Sequence, residues 1–406
     1  WYGDAGLAIA ADAAGNFCIG GVFSDVVDFG GIELTEQNWW TGFLLKRSPA
    51  AGTLWAKAFA PRASWRLDGP YYGIALDAER AVVVTGSFVG TTDFGTGPVT
   101  SHTDAADFYP RDAFLAKYDL DGRVVFANTW WGPWEETGVE VAVDAAADIV
   151  LIQPRKLAKY TPDGVQIWSR RLWTPTGFTW GFLDVAVDAR GDVVVAGAFV
   201  FELDLGGGPL SPGGAFAAKY SGDGALIWAR RFGQNLDGAW GIALDHDGNP
   251  LVTGGTTGGD FGGTRLSTEG SGDYDMFLMK LSGHDGSVLW ARSFGSIEED
   301  SGVDVAIDAS GGGVVTGMFG ICTGCAAFRD SDIFVAKFAV EDGALLWSRR
   351  FGCANTDIGL GVAIGRGCEA WVTGFIGGSP GTAADFGGQT LVSAGNSDVF
   401  VARLAP

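Results

Sequence analysis

Aromatic side chains close to acids are the residues of this 406-residue chain best suited to chemistry at a surface. Half-exposed indole and phenol rings stack on sugar rings, and they pack equally well against a protein partner. The candidate binding residues are Trp39, Trp40, Tyr71, Tyr72, Phe108, Tyr109, Trp131, Trp134, Glu135, Glu136 and Trp180. The alternative is that these rings only hold long loops against the fold, since buried loop aromatics are common.

Signatures of catalysis are scarce in this sequence. It lacks the G-x-S-x-G, H-E-x-x-H and P-loop motifs, and its three histidines are His102, His246 and His284. The pair Glu135 and Glu136, beside Trp131 and Trp134, is where glycoside chemistry would have to lie. Neighbouring residues on a strand point to opposite faces, which counts against joint action of that pair. No catalytic residue is therefore assigned.

A repeated unit must position these side chains, and residues 277–317 show it most clearly. This segment has four β-patterned runs, 277–281, 288–294, 303–307 and 314–316, separated by Gly- and Asp-rich turns. One ladder of this size cannot bury its own apolar face, so it must pack against copies of itself.

A basic residue that follows an aromatic by three positions marks six copies, at intervals of about 60 residues, and Lys156-Lys159 is a degenerate seventh copy. The seven basic residues are Lys46, Lys117, Lys159, Lys219, Lys280, Lys337 and Arg403. Their long stems can cover a neighbouring Trp while the heads reach carboxylates or water. Most copies continue with a Trp strand and then a small-residue strand ending in Asp, such as Trp290 and Asp308. This Asp is suited to cap its own turn.

Seven such units with no helical period predict an all-β fold. The expected architecture is a seven-bladed β-propeller of four-stranded antiparallel blades, closed into a ring, with residues 1–406 forming one domain. A linear solenoid is the competing architecture, but neither end shows the polar cap that solenoids usually have. Several copies also carry Asp-Phe-Gly after the second strand, which predicts a bulge or turn extending that strand.

Three blades depart from the common pattern. The last copy lacks its Trp strand, and residues 1–3 align with the end of that strand. Either the start of the chain completes the last blade, or this blade has lost its outer strand. Blade three has only residues 153–155 between its second and third strands, whereas blade two has residues 89–111 there. A short blade beside a long loop predicts a notch over blade three.

The repeat blocks resemble those of the bacterial SBBP-type β-propeller proteins. The resemblance rests on GIALDHDGNPLVTGG (241–255), DIFVAKF (332–338) and GALLWSRRFG (343–352), and it covers nearly the whole chain. It implies a propeller fold and an exported location, but no settled activity. The block DGALLW is also similar to the Trp-docking repeats of quinoprotein-type propellers. Quinone chemistry is not expected, because the adjacent Cys pair that this likeness requires does not occur.

Acids recur in front of the first strands, eight residues before the turn position. They are Asp4, Glu136, Asp237, Asp300 and Asp357. A ring of acids near the channel mouth would suit calcium, since hard cations take several carboxylate oxygens. A loop cap that recurs with the repeat explains the same spacing without any ligand, and we favour it. No cofactor or metal ligand is therefore assigned.

Five cysteines are too few for a disulfide scaffold but permit one or two disulfides in an oxidising compartment. Cys322 and Cys325 belong to one loop of blade six, and Cys353 belongs to the next loop on the same face. A disulfide among these three is expected. Cys18 and Cys368 would lie on neighbouring blades of a closed ring, so a second disulfide could join the first blade to the last.

The charge balance restricts the partners. Lys plus Arg number 27 and Asp plus Glu 48, so the net charge is −21. Such a surface repels phosphate backbones and anionic lipid, so neither nucleic acid nor a membrane is an expected partner. The sequence thus predicts a secreted, periplasmic or cell-surface bacterial propeller that binds a protein or glycan through an aromatic rim. The alternative is a hydrolase or lyase acting on polysaccharide in the notch over blade three.

Overall fold

The chain folds as a seven-bladed β-propeller, as the sequence predicted. The computed structural model describes residues 3–12, 14–35, 41–61, 73–102, 111–131, 138–172, 183–269, 274–321, 331–353 and 355–406. Seven antiparallel sheets form the blades of a closed ring. Across these ranges no helix is long and apolar enough to cross a membrane.

The strands of each blade follow one another in chain order from strand one, at the axis, to strand four, at the rim. Blade one has Ala5–Ala11, Phe17–Phe23, Thr41–Ser48 and Gly52–Pro61. Blade two has Gly73–Leu76, Val82–Phe88, Asp112–Tyr118 and Val124–Trp130. Blade three has Glu140–Val143, Ile149–Gln153, Lys156–Tyr160 and Gln166–Arg171.

The remaining blades repeat this order. Blade four has Leu183–Val187, Val193–Phe199, Gly214–Tyr220 and Leu226–Phe232. Blade five has Gly238–Leu244, Pro250–Thr256, Asp275–Leu281 and Val288–Phe294. Blade six has Glu299–Ile307, Gly312–Ile321, Asp332–Ala339 and Leu345–Phe351. The described strands of blade seven are Ile358–Ile364, Ala370–Gly377 and Ser397–Leu404.

The hydrophobic core lies between the blades. Strands two and three are covered on both faces by neighbouring sheets, so Val193–Phe199 and Gly214–Tyr220 are buried at every position. This explains why these strands are apolar throughout and do not alternate with polar residues. Small residues on strand one let the inner strands approach each other near the axis. A Cβ on Gly241, for example, would lie 2.8 Å from the Cα of Asp304 in the next blade.

The strand-four tryptophans connect each blade to the next. Trp228 of blade four stacks on Gly286 of blade five, and its indole N–H donates to the Gly283 carbonyl oxygen at 3.3 Å. Gly286 has a φ of +72°, and a Cβ there would lie 2.6 Å from the indole ring, so glycine suits both requirements. Equivalent indole hydrogen bonds are made by Trp55, Trp168 and Trp290.

The turns between strands one and two and between strands three and four form one face of the disc, here called the turn face. On this face the strand-three lysine pairs with the aspartate that ends strand one. The pairs are Lys117–Asp77 at 2.9 Å, Lys159–Asp144 at 2.7 Å, Lys219–Asp188 at 2.9 Å, Lys280–Asp245 at 2.8 Å and Lys337–Asp308 at 2.6 Å. The packing explanation of the basic row is thereby confirmed.

The same aspartates also cap their turns, as predicted. Asp188 Oδ1 accepts hydrogen bonds from the backbone N–H groups of Arg190 and Asp192 at 2.9 and 3.0 Å. One carboxylate therefore closes the turn and neutralises the buried lysine. Blade seven has Gly365 at this position, and there Arg403 pairs with Glu369 at 3.3 Å instead.

Blade seven packs against blade one and closes the ring. The ring centroids of Phe17 and Trp371 lie 4.4 Å apart across this junction. Gly3 lies against Ser397, the first residue of the third strand of blade seven, as Gly352 lies against the corresponding strand of blade six. The residue before strand one thus occupies the place where a fourth strand of blade seven would end. Residues 1 and 2 lie outside the described residues, so both alternatives for the outer strand of blade seven stay predictions.

The Asp-Phe-Gly segments form separate hairpins and do not extend strand two, which corrects the sequence-based prediction. These four hairpins are Val26–Asp28 with Glu33–Thr35, Thr91–Asp93 with Pro98–Thr100, Gly259–Phe261 with Thr264–Leu266, and Ala383–Asp385 with Thr390–Val392. A fifth hairpin, Leu203–Asp204 with Pro209–Leu210, has Asp-Leu-Gly instead. In blade five Asp260 accepts the N–H of Gly263 at 2.7 Å, and Phe261 packs 4.9 Å from the ring of Phe277. The aspartate closes the turn, and the aromatic side chain attaches the hairpin to its blade.

Candidate functional site

The face opposite the turn face, here called the loop face, carries the connections from strand two to strand three and from strand four to the next strand one. Most of the predicted binding residues belong to these connections. The following lie outside the described residues: Trp39, Trp40, Tyr71, Tyr72, Phe108, Tyr109, Trp134, Glu135, Glu136 and Trp180. Trp131 lies within the described part of the chain.

Trp131 is an exposed ring held in place from one side. Its exposed fraction is 64%. The indole stacks on the imidazole of His102, with ring centroids 4.5 Å apart and an interplanar angle of 20°. His102 in turn places Nδ1 3.2 Å from Oδ2 of Asp112 and donates its backbone N–H to the same oxygen at 3.1 Å.

Asp112 is the first residue of strand three in blade two and is buried. The exposed indole is therefore connected through His102 to the rigid sheet. Sequence reasoning weighed His102 only as a catalytic group, and its place in the long blade-two connection was the signal that it could support an aromatic residue there.

The loop-face acids Asp237, Asp300 and Asp357 are caps, as the interpretation favoured from the sequence predicts. Asp237 Oδ2 accepts the N–H of Gln234, and its Oδ1 accepts the N–H of Thr257, both at 2.7 Å. Asp300 and Asp357 make the same pair of bonds, to the connection before strand one and to the end of strand two. Each carboxylate thus joins two connections of one blade.

Burial raises the pKa of both Asp4 and Asp357 to about 6, although backbone hydrogen bonds from Ser24 and Cys353 act in the opposite direction. Within the described ranges, no group of three or more His, Cys, Asp or Glu side chains is placed to hold a metal ion. Glu136, the remaining acid of the predicted ring, lies outside those ranges.

A second set of acids, which the sequence reasoning missed, lies on strand one itself near the axis. Glu140, Asp184 and Asp304 each precede the turn aspartate of their blade by four residues. The other blades have alanine or glycine at this position: Ala8, Gly73, Gly241 and Gly361. The signal in the sequence was an acid at a strand-one position where the other blades have alanine or glycine.

Each of these acids links two blades through backbone N–H groups. Asp184 accepts the N–H of Ile242 in blade five at 2.7 Å, and Asp304 accepts the N–H of Val362 in blade seven at 2.7 Å. Glu140 is bonded in the same way to Ile74 of blade two. The three bonds connect blades two with three, four with five, and six with seven.

Glu140, Asp184 and Asp304, here called the axial acids, hold their protons more tightly than ordinary carboxyl groups. Burial raises the pKa of Glu140 well above its usual range, and the Asp184 carboxylate raises it further. Burial also raises the pKa of Asp184 to about 8, with Asp304 adding to the effect, and that of Asp304 to about 6. Charging all three groups together is disfavoured because like charges repel one another near the axis.

The described cysteines are free thiols: Cys18, Cys353 and Cys368. The predicted disulfide between Cys18 and Cys368 is therefore wrong. Alternate residues of a strand point to opposite faces. Cys18 faces blade two, where it shares a core with Val84, whereas Phe17 and Ile19 face blade seven.

Cys353 also forms no disulfide, which corrects the prediction for blade six as far as this residue is concerned. Its Sγ lies 3.2 Å from the carbonyl oxygen of Gly377, and burial raises the pKa of the thiol to about 12. Its predicted partners, Cys322 and Cys325, lie outside the described residues.

The short connection of blade three is confirmed. Strands Ile149–Gln153 and Lys156–Tyr160 are joined by Pro154 and Arg155 alone. Next to this connection, the Nζ of Lys156 lies 5.5 Å from the ring centroid of Trp130. Trp130 is the last residue of strand four in blade two. The carboxylates on which the enzymatic alternative rests, Glu135 and Glu136, are outside the described part, so that alternative stays a prediction.

Comparison with known proteins leaves the family open. No protein-family profile matches the chain, and no curated protein does. The likeness to SBBP-type repeats therefore stays a prediction.

Solved structures resemble the chain only distantly. A protein from Lactobacillus plantarum has 15% identity and a TM-score of 0.48, covering 86% of this chain and 85% of its own. The WD40 domain of Neurospora crassa Pan2 has 11% identity and a TM-score of 0.47, with 85% and 83% covered. A protein of unknown function from Bacteroides caccae has 10% identity and a TM-score of 0.44, with 80% and 92% covered. These values say nothing about what this chain binds.

Proposed function

We propose that this propeller is a binding or scaffold module, exported or displayed at a bacterial cell surface, which holds a protein or glycan partner on its loop face. The observation that carries the proposal is Trp131, 64% exposed and stacked on His102. A large ring already held in one orientation loses little conformational freedom on binding, and tryptophan is frequent among residues that dominate binding energy.

The exported location rests on the sequence. The resemblance to SBBP-type repeats implies it, and the net charge of −21 suits a domain that must stay soluble and avoid phosphate-rich partners. We further propose that residues 1–406 act as one domain, because the contact between Phe17 and Trp371 joins the first blade to the last. Separating either blade would expose apolar surface.

The test compares two exposed apolar side chains on the same face. Trp131→Ala removes the proposed contact, and Ile297→Ala removes a side chain that is 75% exposed in the connection leading to blade six. Binding of wild type and variants would be measured on a glycan array and by capture of bacterial surface proteins. We expect Trp131→Ala to weaken a partner about tenfold or more, and Ile297→Ala to leave it unchanged.

Unchanged binding of every partner by Trp131→Ala would refute the proposal. A partner found on the array indicates a glycan, and one found only by capture indicates a protein. Because His102 acts by positioning the indole, His102→Ala should weaken the same partner by a smaller factor. His102→Phe, which keeps a ring beneath Trp131, should restore most of the affinity.

A further inference from the structure

The loop-face end of the interface between blades two and three holds buried hydrogen-bond donors that lack acceptors. Arg111 is 6% exposed, and its Nε and Nη2 have no hydrogen-bond partner in the described part of the chain. Gln153 is 2% exposed, and its Nε2 has none there either. Native proteins rarely leave buried donors unpaired, so the two together require an explanation.

Both side chains face the gap between the two blades. Leu115, on strand three of blade two, packs in the core shared with blade three, and Arg111 lies four residues earlier on the same side of the strand. Leu151, on strand two of blade three, packs in that same core, and Gln153 lies two residues further on. The unpaired donors therefore approach the gap from opposite walls.

Both residues also depart from the repeat, so the repeat does not explain them. Six residues before the strand-three basic residue, where blade two has Arg111, blades four to seven have Gly213, Tyr274, Ser331 and Ser397. Where blade three has Gln153, nine residues after the turn position, every other blade has glycine: Gly21, Gly86, Gly197, Gly254, Gly317 and Gly374. Two polar replacements meet at one interface.

The remaining walls add positive charge and an aromatic surface. Lys156 is the ladder partner of Gln153, and its Nζ lies 3.3 Å from the hydroxyl of Tyr160 and 5.5 Å from the ring centroid of Trp130. The two-residue turn of blade three places no hairpin over this end of the interface. Donors from both blades thus line the loop-face end of this interface, in a chain whose net charge is −21.

We propose that these donors bind a carboxylate group, presented by an acidic sugar or by a small organic acid. The Nε–H and Nη2–H of Arg111 lie along one edge of the planar guanidinium and point the same way, which matches the two oxygens of a carboxylate. Gln153 adds a neutral donor from the opposite wall. A monoanion suits one arginine in an acidic protein better than a dianionic phosphate, which the long-range field repels more strongly.

The site is distinct from the proposed contact at Trp131. Trp130 packs toward blade three, so Trp131, the next residue, points to the other side of the strand. The carboxylate site can therefore be tested separately, and either proposal can fail alone.

Calorimetric titration of the full chain with sodium glucuronate, succinate, glucose and inorganic phosphate tests the proposal. We expect glucuronate to bind and glucose, its neutral counterpart, not to bind. Succinate binding as tightly as glucuronate supports a site for free organic acids, and binding of glucuronate alone supports an acidic sugar. Trp131→Ala should leave the titration unchanged.

The variants restore residues that the repeat uses elsewhere, so they are expected to fold. Arg111→Ser, with the residue found at Ser331 and Ser397, should weaken glucuronate about tenfold or more, and Gln153→Gly should weaken it severalfold. Arg265→Gln, at an exposed arginine of blade five, is the matched control and should not change the affinity.

Several results would overturn the proposal. They are failure of every carboxylate to bind the folded wild type, retention of full affinity by Arg111→Ser, and binding of phosphate without any carboxylate. A crystal structure showing a carboxylate of the chain itself on Arg111 would do so as well.

Discussion

The pKa values of two aspartates four residues apart in blade four are shifted in opposite directions. Asp188, on the turn face, lies 2.9 Å from the Nζ of Lys219, whereas Asp184, near the axis, accepts backbone N–H groups of Val185 and Ile242. Burial acts to raise the pKa of both. At Asp188 the bonds from Lys219 and from the turn outweigh burial and hold the pKa below its ordinary value. At Asp184 burial dominates, Asp304 adds to it, and the pKa rises to about 8.

The difference shows that the partner, and not residue type or spacing, decides the behaviour of a carboxylate in this fold. An ammonium group supplies a full opposite charge, while backbone N–H groups supply only partial charges. The turn-face pairs recur in blades two to six and stabilise the repeat, as in Lys337–Asp308 at 2.6 Å. The axial acids occur in three blades and join neighbours.

The largest expected effect follows from breaking one turn-face pair. Lys219→Met keeps an apolar stem but leaves Asp188, whose side chain is 8% exposed, without its ammonium partner. Removing one member of a buried pair typically costs about 3–5 kcal/mol of the free energy of unfolding. Chemical denaturation followed by tryptophan fluorescence measures this loss.

An exposed ion pair on the same face provides the control. Arg123 lies 2.7 Å from Asp121, and their side chains are 76% and 65% exposed. Arg123→Met should change the unfolding free energy by less than about 1 kcal/mol. Similar losses for the two variants would contradict the comparison.

The axial acids predict a pH dependence of stability. The pKa of Asp184 is raised from 3.8 to about 8 in the folded chain. Between these two pH values the folded chain keeps a proton that the unfolded chain has lost, so unfolding releases it. Its stabilising contribution is complete below pH 3.8 and is lost as the pH rises toward 8. Each proton retained only by the folded state lowers the unfolding free energy by about 1.4 kcal/mol per pH unit. Melting temperatures between pH 5 and 8 should fall accordingly.

Asp184→Asn removes the titrating group and should flatten this decline, even if the variant is less stable at pH 5 because the amide accepts only one of the two N–H bonds. Arg123→Met, by contrast, removes an exposed ion pair and should leave the slope between pH 5 and 8 unchanged. An equally steep decline in Asp184→Asn would show that Asp184 is not its source.

An intermediate effect is expected in blade seven, where the turn-face pair has changed. Arg403, 58% exposed, lies 3.3 Å from Glu369, whose side chain is 9% exposed. Because water screens the arginine, Arg403→Met should cost about 1 kcal/mol or less, between the values for Arg123→Met and Lys219→Met. Urea unfolding is sensitive enough to rank the three, and a loss as large as that for Lys219→Met would contradict the role given to burial.

Much of the fold could be predicted because the copies of the repeat carry similar strand and turn residues at similar spacing. The runs predicted at 277–281 and 288–294 correspond to strands Asp275–Leu281 and Val288–Phe294. The Asp-Phe-Gly hairpins were mispredicted because a short strand pair and a bulge share the same turn residues. Only the packing of Phe261 on Phe277 distinguishes the two.

The candidate sites were predicted less well, because they depend on departures from the repeat. The stacking partner of Trp131 is His102, which lies 29 positions earlier and meets it only through the pairing of strands three and four. The Cys18 bridge was wrong because position in the ring predicts which blades are neighbours, but not which face of a strand a thiol occupies.

By itself the sequence determined the repeat, its seven copies, the capping aspartates and the acidic charge, because each is a local property of composition and spacing. The tertiary structure alone decided which carboxylates gain a lysine and which lie near the axis, and it alone buried donors of Arg111 and Gln153 without acceptors. These outcomes depend on distances between blades, and such distances are set by packing among residues far apart in the chain.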